Sequence, residues 1–162
     1  MGEERSRPGV AVLDGKLYAV GGRNDDEDAL SSVERYDPAT NAWEAVAPLA
    51  AARGFLDVAV LDGKLYAVGG YNDDDGSLSS VERYDPAVDA WEAVAPLTLA
   101  RFGARVAALE GKLYAVGGRI DNEEDDEAEV DSNSVERFDP ASNAWEEVAP
   151  MATARAFPFA LL

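Results

Sequence analysis

Carboxylates are the side chains of this sequence that could most readily do chemistry. Asp73-Asp74-Asp75-Gly76 places three of them side by side, and a longer acidic run lies at 121–131. Hard oxygen ligands of this kind suit Ca²⁺. However, the spacing of an EF-hand loop is absent, and consecutive aspartates point in different directions. The sequence therefore predicts no metal site, with calcium binding by these loops as the alternative.

Histidine and cysteine are both absent from the 162 residues. Without them the chain has no Ser-His or Cys-His pair and no side chain that ordinarily titrates near neutral pH. The carboxylates lie in polar segments, without the apolar surroundings that raise a carboxyl pKa. We therefore predict that the protein is not an enzyme and that it uses no cofactor.

The formal net charge is −18, from 32 acidic and 14 basic residues. Nucleic acids and anionic membranes both need a cationic surface, so we predict that neither is a partner. No apolar run approaches the ~18 residues of a membrane helix, and the first residues do not resemble a signal peptide. Together with the lack of cysteine, this favours a cytoplasmic location.

Almost half of the acidic residues fall in three short segments, at 25–28, 73–75 and 121–131. Solvated loops that aid solubility would have this composition, and so would a surface that recruits a basic partner. The sequence leaves both interpretations open.

The elements that must position any site belong to one repeated unit. The stretch DGKLYAVGG occurs at 14–22 and again at 62–70, and it returns at 110–118 with Glu110 in place of the aspartate. The period of 48 residues separates Gly22, Gly70 and Gly118. A repeat of this length is typical of solenoids, propellers and other arrays.

Each repeat is interpreted as four short strands, which in the first copy are GVAVL, KLYAV, SVERY and AWEAVA. Asp14-Gly15 lies between the first two, and Asp-Gly between β-rich runs is a strong hairpin signal. Asp37-Pro38 ends the third strand. A helical alternative, suggested by the alanine and glutamate content, is interrupted too often by proline. The predicted fold class is all-β.

An apolar strand that ends in Gly-Gly, followed by an aromatic residue and then by tryptophan, recurs in every copy. The signature residues are Gly21, Gly22, Tyr36 and Trp43; Gly69, Gly70, Tyr84 and Trp91; and Gly117, Gly118, Phe138 and Trp145. This pattern resembles the kelch repeat. The resemblance implies a β-propeller in which each repeat forms one four-stranded blade, with its first strand nearest the central axis.

The whole chain, 1–162, is then one kelch array. Its predicted parts are blade 1 at 5–52, blade 2 at 53–100, blade 3 at 101–154 and an extra inner strand at 155–162. Propellers typically have 4 to 8 blades, so three blades do not close a ring. The chain is either a propeller fragment or half of a six-bladed ring that two copies complete. In the second case, another copy of the chain is also a predicted partner.

The resemblance also implies a binding face. The closest similarity is to the kelch domain of BTB-kelch ubiquitin-ligase adaptors, in which residues after Gly-Gly and at the start of the inner strand contact an acidic peptide. The matching positions here are Arg23, Tyr71 and Arg119 after Gly-Gly, and Arg7, Phe55 and Phe102 at the inner-strand starts. Arginine and tyrosine suit such a role. In the competing interpretation, Arg23 and Arg119 only pair with neighbouring acids.

We therefore predict a protein-interaction module that binds a peptide or protein through loops on one face. The alternative is a designed or consensus scaffold whose role is self-assembly into a six-bladed propeller, without an evolved ligand.

Two further features concern residues near the central axis of the propeller. Asp57 and Arg105 occupy equivalent positions on adjacent blades and should form an ion pair, and phenylalanines near the same rim, including Phe157 and Phe159, could form an interface between half-rings.

Overall fold

The computed structural model of the chain describes residues 2, 4–122 and 125–156, and in these residues it consists of β-strands and turns. Three four-stranded antiparallel sheets account for most of the strands, and two small two-stranded sheets account for the rest. The predicted all-β fold with one four-stranded sheet per repeat is confirmed. No helix long and apolar enough to cross a membrane occurs in the described part of the chain.

The strands follow the repeats. The first sheet contains β1 (Gly9–Leu13), β2 (Lys16–Val20), β3 (Val33–Asp37) and β4 (Ala42–Val46). The second repeat contains β5 (Asp57–Leu61), β6 (Lys64–Val68), the short pair β7 (Tyr71–Asn72) and β8 (Gly76–Ser77), then β9 (Val81–Asp85) and β10 (Ala90–Val94). The third contains β11 (Arg105–Leu109), β12 (Lys112–Val116), the pair β13 (Arg119–Asn122) and β14 (Asp125–Asp131), then β15 (Val135–Asp139) and β16 (Ala144–Val148).

Within each repeat the four main strands form an antiparallel meander in chain order, and the first strand of each sheet lies beside that of the next. The β1–β2 turn is formed by Asp14 and Gly15, with φ angles of 51° and 72°. Both residues therefore adopt the left-handed conformation that a two-residue hairpin turn requires. The Asp-Gly signal predicted this turn.

The Gly-Gly pair at the end of β2 is required by close packing. Gly21 and Gly22 have φ angles of 58° and 102°. A Cβ atom on Gly21 would lie 2.5 Å from the carbonyl oxygen of Arg53, and one on Gly22 would lie 2.7 Å from that of Ser6. Any side chain here would collide with main chain at the start of the next repeat or of its own.

The apolar core lies between the sheets. Leu13 and Tyr18 of the first sheet pack in one buried cluster with Leu65 and Tyr84 of the second. The rings of Tyr18 and Tyr84 are 5.8 Å apart. An equivalent cluster joins the second sheet to the third. The sheets therefore pack face to face as the blades of a propeller do, and each inter-blade layer is a small hydrophobic core.

A buried arginine connects each pair of adjacent sheets. The side chain of Arg53 is fully buried; it donates to the carbonyl oxygen of Gly69 at 2.9 Å and to Glu82 at 2.8 Å, both in the second sheet's repeat. Its backbone bonds to the preceding repeat, because its N–H donates to Leu30 and its carbonyl accepts from Gly22. We call this arrangement the arginine joint.

The arginine joint recurs along the chain. Arg101 and Glu136 form it in the third repeat at 2.7 Å, with both side chains 1% exposed. Arg5 and Glu34 form its side-chain part in the first repeat at 2.8 Å. Burial lowers the pKa of the Arg101 guanidinium, and the Glu136 carboxylate opposes this effect. The backbone of Arg155 repeats the joint's hydrogen bonds to the third repeat, while its side chain is exposed.

One segment differs from the sequence interpretation, and another is not tested. The segment between β12 and β15 was expected to be a polar loop, but it forms the hairpin β13–β14, in which Ile120 pairs with Val130. The shorter equivalent segment of the second repeat also forms a hairpin, β7–β8, and the cross-strand apolar pair is the added feature of the longer one. The predicted extra inner strand at 155–162 lies largely outside the described residues, as do Phe157 and Phe159.

Candidate functional site

The six predicted binding residues lie together where the Gly-Gly turns meet the inner-strand starts. Isolated antiparallel bridges join Ser6 to Arg23, Gly54 to Tyr71, and Phe102 to Arg119. Each bridge places a residue that follows Gly-Gly beside a residue that lies three positions before an inner strand. The backbone of each repeat therefore brings the two predicted sets into contact.

Aromatic rings form the floor of this region. Phe102 is 6% exposed, and its ring makes edge contacts with Phe55 at 5.6 Å and with Tyr71 at 5.5 Å between centroids. Arg7 stacks over the Phe55 ring, with Cζ 4.6 Å from the centroid, and Arg23 lies 5.6 Å from the Tyr71 centroid. These are cation–π geometries, so the two arginines are held against a mostly apolar base.

Carboxylates pair with two of the three arginines. Arg23 donates to Asp73 of the second repeat at 2.9 Å, and Arg119 donates to Asp131 of its own repeat at 3.1 Å and lies 3.8 Å from Glu129. The structure therefore contains the pairing of Arg23 and Arg119 with neighbouring acids that the competing interpretation expected. The Arg119 side chain is 44% exposed and its pairs are therefore open to water and weak, so a ligand can compete for that guanidinium group. The Arg23 side chain is only 11% exposed, although its partner Asp73 is exposed.

The site is a cavity of about 500 Å³, which we call the Arg–aromatic cleft. It is lined by Arg7, Arg23, Phe55, Tyr71, Asp73, Phe102, Arg119 and Glu129. All six predicted binding residues line it, and they come from three successive repeats. Sequence reasoning missed Asp73 and Glu129 as lining residues, although both belong to acidic segments that it had marked.

The backbone at the cleft is strained at equivalent positions of the first two repeats. Arg7 and Phe55 have φ angles of 50° and 55°, and the equivalent residue of the third repeat is Gly103, with φ of 63°. Residues other than glycine pay an energetic cost in this region, and such positions cluster at binding sites. The conformation turns Arg7 and Phe55 toward each other in the cation–π contact.

The predicted ion pair near the axis is present. Asp57 lies 3.6 Å from Arg105 and accepts a hydrogen bond of 2.7 Å from the backbone N–H of Val106. Burial raises the pKa of Asp57, and the Val106 N–H and Arg105 only partly oppose it. A second cavity of about 240 Å³ adjoins this pair, with Arg7 and Phe55 among its lining residues. The second cavity and the Arg–aromatic cleft therefore share Arg7 and Phe55 as lining residues.

The aspartates considered as calcium ligands form a turn organised by an asparagine. The side-chain oxygen of Asn72 accepts hydrogen bonds from the backbone N–H groups of Asp74 and Asp75, and its amide donates to Asp75. This is an Asx-type turn that closes the β7–β8 hairpin. Within the residues the structure describes, no three acidic side chains group closely enough to hold a metal ion.

Sequence reasoning missed the arginine joint. The available signal was an arginine at 5, 53, 101 and 155, with a glutamate at 34, 82 and 136. Charged residues are rarely fully buried, so the glutamate of each VER sequence was read only as part of a strand. Its position on the inter-blade face depends on the packing of the sheets.

The three stacked sheets, each carrying the same turns and joints, define a propeller-type repeat protein. The kelch motif model matches residues 4–50, 52–98 and 100–152, which is nearly the whole chain. This chain therefore belongs to the kelch-repeat family, as the sequence resemblance predicted.

Curated relatives match over single repeats. The chain is 54% identical over 48 residues to Kelch-like protein 35 of Homo sapiens, covering 30% of this chain and 8% of that protein. It is 47% identical over 51 residues to Kelch-like protein 33 of Homo sapiens, covering 32% and 9%. It is 46% identical over 56 residues to Kelch repeat and BTB domain-containing protein 8 of Danio rerio, covering 32% and 9%. These matches span less than a tenth of each relative.

Among solved structures, that of YjhT is similar, with a TM-score of 0.77 and 19% sequence identity. The match covers 96% of this chain and 55% of YjhT. At this identity the likeness shows the fold alone. The chain therefore has the backbone arrangement of about half of that kelch propeller.

Proposed function

We propose that the protein is a protein-interaction module that binds a peptide or a protein segment in the Arg–aromatic cleft. The observation that carries the proposal is the convergence of three arginines and three aromatic rings from successive repeats in one open cavity. Arginine and aromatic residues dominate binding hot spots because they combine large contact area with directional hydrogen bonds. Kelch-family membership supports a binding role.

The proposed role is binding and not catalysis. The sequence contains no histidine or cysteine, so the cleft has no Ser-His or Cys-His pair with which to activate a nucleophile. The absence of a cofactor and the cytoplasmic location remain predictions from the sequence.

Binding can be tested with peptides selected from a random displayed library on the immobilised chain. The affinity of a selected peptide is then measured by fluorescence anisotropy. Arg119→Ala should weaken binding about tenfold, because loss of a hot-spot contact costs at least 1 kcal/mol. Arg137→Ala is the matched control: Arg137 is similarly exposed and paired with Glu146, but it lies on β15, away from the cleft. Equal affinity of the two variants would refute the proposed site.

A second candidate role is structural: a scaffold that self-associates into a complete propeller. It is favoured by large apolar side chains that remain exposed on the two outer sheets, among them Val10 at 52% and Leu109 at 59%. Exposed apolar faces of this kind mark interaction surfaces. Native mass spectrometry tests this role directly, since a chain of 17.2 kDa that stays monomeric at high concentration would contradict it.

A further inference from the structure

The interface between adjacent sheets occurs twice within the chain, with the same hydrogen bonds. The indole N–H of Trp91 in the second sheet donates to the carbonyl oxygen of Ala47, just beyond the first sheet, at 2.9 Å. In the next interface, Trp145 of the third sheet donates to Ala95 at the same distance. Each sheet thus binds the end of the preceding one through its tryptophan.

A second contact accompanies the tryptophan in both interfaces. The side-chain oxygen of Asp89 accepts from the N–H of Ala47 at 2.9 Å, and that of Asn143 accepts from the N–H of Ala95 at 3.0 Å. Both acceptors are the turn residue between the third and fourth strands of their sheet, with φ of 49°. The tryptophan and the turn residue together satisfy both polar groups of one alanine.

At each end of the array, one half of this interface is present without the other half. Trp43 and Asn41 occupy the tryptophan and turn positions of the first sheet, and Ala149 occupies the alanine position after the third. In the described part of the chain, neither the Trp43 indole N–H nor the Ala149 backbone has a hydrogen-bond partner. The first sheet therefore presents one half of the interface and the third sheet presents the other.

Exposure of equivalent side chains follows the same division. Leu13 and Leu61 are 4% and 7% exposed because the following sheet covers them, whereas the equivalent Leu109 is 59% exposed. On the opposite face, Val58 is 6% exposed and its equivalent Val10 is 52% exposed. Both exposed faces have the composition that is buried elsewhere in the chain.

We propose that a second copy of this chain covers both faces, with the first sheet of each copy packed on the third sheet of the other. This rests on the self-association considered above and specifies its interface. Trp43 would donate to the Ala149 carbonyl and Asn41 would accept from its N–H. Two such contacts related by a two-fold axis would close a ring of six sheets, within the range of 4 to 8 that propellers adopt.

The carboxylate on the open face of the first sheet already has partners within its own chain. The Glu34 carboxylate lies on its open side, but it is paired with Arg5 of the same chain at 2.8 Å and accepts from the N–H of Gly2. Burial is the largest single influence on the pKa of Glu34 and raises it. The hydrogen bonds from Gly2 and Arg5 together outweigh burial, so the pKa is lowered. The Glu34 carboxylate therefore stays paired when a second copy docks. In that arrangement Arg5 of one copy takes the place that the backbone of Arg155 of the partner subunit holds on the third repeat, so docking displaces the partner's Arg155 from its hydrogen bonds with Ser132 and Gly118.

The test is sedimentation velocity of the purified chain over a wide concentration range, with three variants. We expect a concentration-dependent species of twice the monomer mass. Trp43→Phe, which keeps the ring and removes the N–H, should raise the dimer dissociation constant roughly tenfold or more because two symmetry-related hydrogen bonds are lost. Leu109→Glu should abolish the dimer. The matched control Trp91→Phe removes the same bond within one chain and should leave the dissociation constant unchanged.

The outcomes distinguish self-association in general from the particular interface that we propose. A monomer at every concentration overturns self-association and this interface together. A dimer whose dissociation constant is unaffected by Trp43→Phe and Leu109→Glu leaves self-association standing and overturns the interface. Oligomers that grow without limit overturn the closed pair, because an interface of this type must then form open chains.

Discussion

The arginine joint makes a quantitative prediction about Glu82→Gln. The Glu82 side chain is 5% exposed and its partner Arg53 is fully buried. Glu82 also accepts hydrogen bonds from the N–H groups of Ala50 and Ala51, at 2.8 and 3.2 Å. Glutamine has nearly the same shape but no charge, so the substitution leaves a buried guanidinium without its counter-ion. Removal of one partner from such a pair costs about 3–5 kcal/mol.

A matched control lies in the same sheet. Glu92 pairs with Arg83, but the Glu92 side chain is 57% exposed. Exposed ion pairs contribute only about 0.2–1 kcal/mol, so Glu92→Gln should have a small effect. The chemical change is the same in the two variants. The comparison therefore isolates the contribution of burial.

Urea unfolding followed by tryptophan fluorescence measures both variants at one protein concentration and pH 7. With a slope of about 1–3 kcal/mol per molar urea, Glu82→Gln should lower the midpoint by about 1 M or more. This is a large fraction of the roughly 5–15 kcal/mol that stabilises a typical domain. Equal midpoint shifts for the two variants would refute the reasoning. Replacing both partners, Arg53→Met with Glu82→Leu, should recover only part of the lost stability. No unpaired charge remains, but the backbone groups of Ala50, Ala51 and Gly69 lose hydrogen-bond partners.

Two further predictions concern acid stability and backbone strain. A hydrogen bond from Lys64 lowers the pKa of Asp85, so its stabilising contribution is present above the ordinary aspartate pKa of about 4 and lost as pH falls through the lowered value. Asp85→Asn should flatten the urea midpoint profile between pH 5 and 2.5, and a profile parallel to wild type would contradict this. Gly69→Ala should destabilise the chain by about 2 kcal/mol or more, since its Cβ would lie 2.4 Å from the Arg101 carbonyl oxygen. Gly63→Ala, with nothing within 4 Å of its Cβ, should cost only the left-handed conformation, about 1–2 kcal/mol, and comparable midpoints would show that the close contact carries no cost.

Much of the fold could be predicted because its signals are local. The Asp-Gly turns fix the β1–β2 hairpin, and β1 and β2 have the limits that the apolar stretches indicated. The third and fourth strands differ from the prediction by about one residue at their ends. Turn chemistry and strand alternation act over a few residues. The sequence therefore contains enough information for them.

The candidate site was predictable only as two sets of positions. The resemblance marked the residues after Gly-Gly and those at the inner-strand starts, but it could not show that Arg23 reaches Asp73, fifty residues further along the chain. The same limit applied to the arginine joint, whose Arg53 lies in the connection between repeats and whose Glu82 lies on β9. Contacts of this kind depend on sheet packing, which the local pattern of one repeat does not describe.

The double attachment of Arg53 has a consequence for how the array loses its structure. Its main chain is bonded to one repeat and its guanidinium to the next, so melting the second repeat removes the Glu82 partner of its charge, and melting the first removes its backbone partners. In a linear array, stability is the sum of each unit's own free energy and a coupling energy between neighbours. Here the buried arginine adds to the coupling that the apolar layer and the tryptophan hydrogen bond already provide, and a chain pulled from one end would resist and then yield more than one repeat in one step.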